Sequence, residues 1–364
     1  MSLKAMARKI MHVNSVAKDN VTPSALESSP RIGELPPPLR AAEIRRRLDD
    51  FVIGQIEAKE RLSLLISMHQ AWDRRSQSMH PPPNGVIIGP TGCGKTFSIQ
   101  VASSYLRIPF LTVDSTSLVP SGAINGNTIE TIQQQLENLV GDYSAAETPA
   151  ETDRVRRAPK SIIFFDEFDK LAIGDDDGSN KRWKTDIQRT LLKFVERQNV
   201  TPELDDTNTV LVLAGGAFVG IDGPENLRKR RPEVIQLLRS APKNTVVSDD
   251  LVNFGFMPEL IARLPAIIQY DTLPESALLE ILQHPKTSPL LVWTQHFERI
   301  GKELRFSAGF LDAVARRAAA LQMGARALQQ IVFPALARRA YAFESSLDTT
   351  IEITEAILEY RDAK

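Results

Sequence analysis

Five short apolar runs recur along the chain: Gly85–Ile88, Phe110–Val113, Ser161–Phe165, Val210–Ala214 and Ala266–Tyr270. Each has the length of a buried strand. Segments with helical periodicity surround them. Ala41–Asp49 and Ile56–Arg74 precede the first run, and Phe97–Leu106 follows it. Strands separated by helices predict an α/β fold with a parallel sheet. Two polar stretches read as surface loops, Ser144–Lys160 and Gly174–Lys184, the second acidic first and basic afterwards. From Leu273 the pattern becomes mainly helical, with Ala-rich Leu311–Leu321 and Ala325–Phe343, broken by the β-prone run Thr350–Thr354. The first 39 residues are rich in proline and serine and read as a loose tail. The expected organisation is a tail over 1–39, a large α/β domain over 40–271 and a small helical domain over 272–364. No internal repeat is present.

The first strand candidate runs into Gly89, Pro90, Thr91, Gly92, Cys93, Gly94, Lys95 and Thr96, with Phe97 opening the helix that follows. This is a complete GxxxxGK[ST] motif in its strand–loop–helix setting. Glycines let the backbone curl so that its N–H groups face phosphate oxygens, and the helix dipole adds to the attraction. Lys95 is expected to neutralise the terminal phosphates of ATP or ADP, and Thr96 to hold Mg2+. A plain glycine turn would not need the lysine and threonine together.

The third run, Ser161–Phe165, ends in Asp166 and Glu167. A carboxylate at the end of such a strand supports the metal ion in P-loop nucleotidases, which assigns Asp166 to Mg2+. Glu167 then stands where a carboxylate would polarise an attacking water. The bland reading is a strand end capped by solvated acids. Beside a full phosphate loop, the pair predicts hydrolysis.

Composition changes this picture little. The 44 basic and 45 acidic residues balance, so neither nucleic acid nor membrane is favoured as a partner. A single cysteine, Cys93, excludes a disulfide framework and a cysteine-built zinc site. The five histidines have no metal-ligand spacing, and no apolar run reaches transmembrane length. Lys4, Arg8, Lys9 and Lys18 without an acid faintly resemble a transit peptide. A basic tail on a cytoplasmic protein is the expectation.

Several further blocks carry a specific resemblance. They are Leu48–Lys59, Phe165–Lys170, Gly215–Phe218, Phe254–Pro265 and Met323–Leu328, in that order with the phosphate loop. From about Glu34 to Leu358 the chain resembles the ClpX-type AAA+ unfoldases of the Clp/HslU group. The resemblance implies an AAA+ P-loop ATPase with a five-stranded parallel sheet and a small helical lid. It assigns Val52, Ile53 and Gly54 to the adenine, where composition alone would start an apolar helix. It makes Arg263 the arginine finger that reaches a neighbouring subunit's site, against the simpler reading of a surface arginine near a strand. It makes Arg326, following Gly324, the sensor of the small domain. Gly215 and Gly216 stand where many AAA+ proteins place a polar sensor. A finger that acts in trans implies a homo-oligomeric ring, expected to be hexameric, acting on an unknown protein substrate.

Departures from the family pattern qualify that reading. Cysteines for the family's zinc-binding domain are absent. The stretch from Asp222 to Asp249 holds Arg228–Arg231 and no Ile-Gly-Phe tripeptide for docking on the ClpP peptidase, so no ClpP partner is expected. A basic loop near residues 197–208 is shorter here and mostly acidic. The first pore loop reads Gly122–Gly126, with Ala123 replacing the aromatic, one extra residue and Ile124 as its sizeable apolar side chain. Two other readings follow. The chain could be a nucleotide-gated assembly module that does not thread its partner. Or it could be a nucleic-acid motor, because Lys181–Lys184 joins cations to Trp183. For that segment a solvated loop with a buried tryptophan is the more ordinary expectation.

Overall fold

The computed structural model describes residues 40–72, 81–120, 126–145, 161–174, 178, 180–200, 210–238 and 245–359. Five parallel strands form its main sheet: β1 (Gly85–Ile88), β2 (Phe110–Asp114), β3 (Ser161–Asp166), β4 (Val210–Gly216) and β5 (Ala266–Gln269), in the order β2-β3-β4-β1-β5. The apolar runs are short and continuous because helices cover both faces. Every residue of β1 and β4 is buried, whereas β2 at the edge keeps Thr112 and Asp114 exposed.

Side chains alternate between two cores, as the pleat requires. Val86, Ile88, Ile163 and Phe165 enter one, with Ile187, Leu191 and Phe194 of the Asn180–Val200 helix. Ile87, Ile162 and Phe164 enter the other, against Leu62 and Ile66 of the Ile56–Ala71 helix and Ile99 of the Lys95–Leu106 helix. Parallel register carries the strand ends to one edge. Ile88 lies opposite Gly216 on one side and Gln269 on the other, and Asp114 lies opposite Asp166.

Residues 273–358 form a third core, built on Leu278, Phe310, Val314, Leu328, Val332 and Phe343. Ile53, far upstream in sequence, packs into it. A parallel pair, β6 (Glu303–Phe306) and β7 (Thr350–Ile353), completes this part. The β-prone run accounts for β7. β6 escapes sequence reading because it is four residues long and half charged, with Glu303 paired to Arg305 at 2.7 Å.

Two expectations need correction. Lys181–Lys184 is not loop. It lies in the first turn of the Asn180–Val200 helix, and Trp183 is 46% exposed, not buried. Its apolar period starts only at Ile187, so the solvent-facing opening turns carry no core signal. Lys184 nonetheless ties this start down, donating to the Ala172 carbonyl at 2.9 Å. Val52–Gly54, which composition alone would place at a helix start, lies outside any helix. Gly54 (φ 68°) and Gln55 (φ 54°) turn the backbone before the helix opens at Ile56. The first 39 residues, Arg74, most of Ser144–Lys160, residues 201–209 and pore-loop residues 121–125, with Ala123 and Ile124, lie outside the described residues.

Candidate active site

Gly89–Gly94 curls between β1 and the Lys95–Leu106 helix. Two of its glycines are demanded by the backbone. Gly92 (φ 75°) and Gly94 (φ 102°) adopt conformations that side chains disfavour. A Cβ on Gly92 would also stand 2.3 Å from the Met323 carbonyl oxygen. Gly94 caps the helix, so the backbone N–H groups of its first turn are left for an anion.

Lys95 is 8% exposed, and its ammonium donates to the carbonyls of Gly89 at 2.6 Å and Pro90 at 3.0 Å. The loop thus holds its own cation across the mouth that a phosphate would enter. Beneath it, burial pushes the Cys93 thiol and the Tyr270 hydroxyl up from their usual pKa values. The floor of the loop is neutral at ordinary pH, and Lys95 supplies its charge.

β3 delivers Asp166 to the same edge. Thr96 Oγ1 donates to Asp166 Oδ2 at 3.1 Å, and the Glu167 backbone N–H donates to Asp166 Oδ1 at 2.9 Å. Glu167 sits in the left-handed region (φ 54°) and is exposed. This turn separates two adjacent carboxylates, one facing the threonine and one facing solvent. A hydroxyl and a carboxylate within hydrogen-bond distance are hard oxygen donors that fit Mg2+, which keeps waters and phosphate oxygens as its other ligands. Among the described residues no cluster of three His, Cys, Asp or Glu side chains could hold a metal by itself.

Val52 and Ile53 are buried, and Gly54 is exposed beside them. The Val52 carbonyl accepts from Lys59 Nζ at 2.9 Å, and that ammonium also meets Asp49 Oδ1 at 2.5 Å. Ile53 and Gly54 line a cleft of about 320 Å³, together with Asp271, Thr272, Leu273 and Ala277. Arg326 opens the Arg326–Glu344 helix and is exposed, and the Ala325 N–H beside it donates to the Gly92 carbonyl at 3.0 Å. The phosphate loop, the Val52–Gly54 segment and the start of the Arg326 helix therefore converge. Arg263 stands apart from them. It ends the Pro258–Ala262 helix, is half exposed and pairs with Glu196 at 3.0 Å.

Comparison with known proteins places this geometry. The family model described as AAA domain (Cdc48 subfamily) matches residues 81–267. The ATP-dependent Clp protease ATP-binding subunit ClpX 2 of Wolinella succinogenes is 30% identical over 337 residues, covering 87% of this chain and 81% of that protein. The ATP-dependent Clp protease ATP-binding subunit ClpX of Treponema denticola is 29% identical over 335 residues, covering 83% and 76%. The chain belongs to the ClpX-type AAA+ family. It is an ATPase, and the five-stranded parallel sheet of this ClpX-type protein is the one its sequence predicted.

Sequence reasoning missed Gln55 and Lys59, both buried polar residues that hold the site's backbone. Their partners lie in distant or irregular segments, and the only signal was polarity within an otherwise amphipathic helix start. The basic run Arg228–Arg231 is also partly structural. Arg230 grips buried Asp250 through two bonds of 2.6 and 2.7 Å, and Arg231 pairs with Asp249 at 2.8 Å.

Proposed function

We propose that this chain is an ATP-driven remodeller of protein partners that works as a ring of copies, without ClpP. The observation that carries the reading is the convergence of Lys95, Thr96, Asp166 and exposed Glu167 at one sheet edge. ATP would lie with its phosphates on the Gly89–Thr96 loop and its base against Val52–Gly54. Lys95 would exchange two carbonyl partners for phosphate oxygens. Mg2+ on Thr96 and Asp166 would neutralise phosphate charge. Glu167 would accept a proton from a water at the terminal phosphate. Arg326, beside the loop, would sense the phosphates from the small domain.

Arg263 supports the ring. Its hydrogen bond goes to Glu196 rather than to its own phosphate loop, and the exchange costs little because both side chains are exposed. In a neighbouring copy's site the guanidinium would stabilise charge that develops on the phosphates. Independence from ClpP rests on the absence of an Ile-Gly-Phe tripeptide between Asp222 and Asp249. The domain limits 40–271 and 272–364 are part of the proposal, as is a cytoplasmic location. Among the described residues no helix is long and apolar enough to cross a membrane.

The test is ATP-dependent capture. Glu167→Gln protein holding ATP should retain protein partners that wild type releases. Capture that is equal with and without ATP would defeat the remodelling reading. A second reading, an assembly module that recruits without threading, is favoured by one observation: Ala123 replaces the pore aromatic. ATP-dependent unfolding of a tagged, stably folded protein separates the two.

A further inference from the structure

The Gln55 carboxamide, 8% exposed, joins two segments that its own sequence neighbourhood does not. Its Nε2 donates to the Cys93 carbonyl in the phosphate loop at 3.3 Å and to the Asp271 carbonyl at 2.8 Å. The Asp271 N–H donates back to Gln55 Oε1 at 2.9 Å. With Asp271 the amide therefore makes the reciprocal two-bond pairing of a ladder rung. Asp271 is the residue from which the chain leaves the β5 edge for the C-terminal core. Gln55 holds this position in the left-handed region (φ 54°), a conformation that Gln pays for.

We propose that Gln55 is a positioning residue that ties the phosphate loop to the backbone at Asp271, so that filling the loop resets the C-terminal part of the chain. The proposal rests on the reading of Gly89–Thr96 as a nucleotide site. Its physical basis is the peptide unit between Cys93 and Gly94. On the nucleotide reading the N–H of that unit would donate to the phosphates, while its carbonyl accepts from Gln55. A hydrogen bond at one end of a peptide polarises the other end and strengthens the bond there. The Cys93 bond is the longest of the three and has the most to gain. Tightening it draws the carboxamide, and with it the peptide of Asp271. The neighbouring Gly92 carbonyl meets the same part of the chain directly, through the Ala325 N–H at 3.0 Å. Two consecutive carbonyls of the loop are thus held from beyond it, Gly92 by the Ala325 N–H and Cys93 by Gln55. Gly324 makes the direct contact possible, since a Cβ there would lie 2.6 Å from the Gly92 oxygen.

The experiment measures hydrogen exchange at the Asp271 amide with and without ADP, together with mant-ADP binding and ATPase kinetics. Wild type, Gln55→Met and Gln55→Glu are compared in the full chain. In wild type, ADP should slow exchange at Asp271 by about tenfold, within the usual range of coupling between sites. Gln55→Met keeps the side-chain length and removes all three bonds. It should bind mant-ADP within about threefold of wild type, lose the exchange response and drop kcat about tenfold with little change in KM. Gln55→Glu can still accept from the Asp271 N–H but cannot donate to Cys93. Its Asp271 amide should stay protected yet cease to respond to ADP. An unchanged response in either variant overturns the proposal, as does a wild-type amide indifferent to ADP. Parallel loss of folding stability and ADP binding in both variants also overturns it, because Gln55 would then be only a packing residue. Wild type that binds no mant-ADP would sink the nucleotide reading itself, and the proposal with it.

Discussion

The Thr96 hydroxyl donates to Asp166 Oδ2 at 3.1 Å across 70 positions of sequence. This bond joins the phosphate loop to the end of β3. Replacing Asp166 by Asn keeps the shape and removes the charge that a divalent cation needs. Mant-ADP affinity of Asp166→Asn in EDTA should match wild type, and its gain on adding Mg2+ should shrink at least about tenfold. An undiminished Mg2+ effect would remove Asp166 from the metal's ligands.

Lys95 is the charge of an otherwise neutral loop. Lys95→Ala should abolish measurable nucleotide binding, because phosphates lose their main cationic partner and the loop loses the side chain that crosses it. Tight ATP binding by the variant would show that the loop is not used in this way. Glu167→Gln should bind ATP normally and lose hydrolysis by about a hundredfold or more, since an amide cannot take the proton. Phosphate release in single turnover is the measurement.

Among the described residues Arg263 pairs with Glu196, and both side chains are exposed. Arg263→Ala should leave mant-ADP binding intact and cut turnover by about a hundredfold or more. Glu196→Gln should cost less than about 1 kcal/mol of stability. ATPase activity per subunit should also fall on dilution of wild type. Activity constant down to monomer would contradict a finger supplied in trans.

The bond from Arg230 to Asp250 is of another kind, because the carboxylate is wholly buried and the guanidinium nearly so. Asp250 also accepts from the Val247 N–H at 2.9 Å at the start of the Ser248–Phe254 helix. Arg230→Ala leaves that carboxylate without its cation and should destabilise the chain by about 3–5 kcal/mol. Urea melts of the two proteins decide it, and a cost below about 1 kcal/mol would contradict the burial.

Trp183 projects from an exposed helical turn, so its removal should not disturb a core. If it supplies grip where Ala123 does not, Trp183→Ala should slow ATP-driven unfolding of a stability series of one tagged domain, with melting temperature unchanged. Large aromatic contact area is what such grip uses. Equal unfolding by both proteins would rule the ring out as the gripping group.

The sheet was legible because β1, β3 and β4 are buried on both faces, and continuous apolar runs leave no other reading at that length. The phosphate loop was legible because its chemistry is local: eight consecutive residues carry it. Three features were hidden for identifiable reasons. The first turns of the Asn180–Val200 helix bury almost nothing, so they carry no period. β6 offers only Leu304 and Phe306 as apolar residues, and its partner lies beyond two helices. Gln55 meets Asp271 across 216 positions, a distance over which no spacing rule operates.

Ile53 belongs by sequence to the segment before the sheet and by packing to the core of residues 273–358. A ribosome makes this residue early and the core that receives it last. Until the final helices emerge, Ile53 has no pocket. A C-terminal fragment made alone would carry a hole where Ile53 belongs. Dividing the gene between the two parts of the chain would therefore leave each product incomplete.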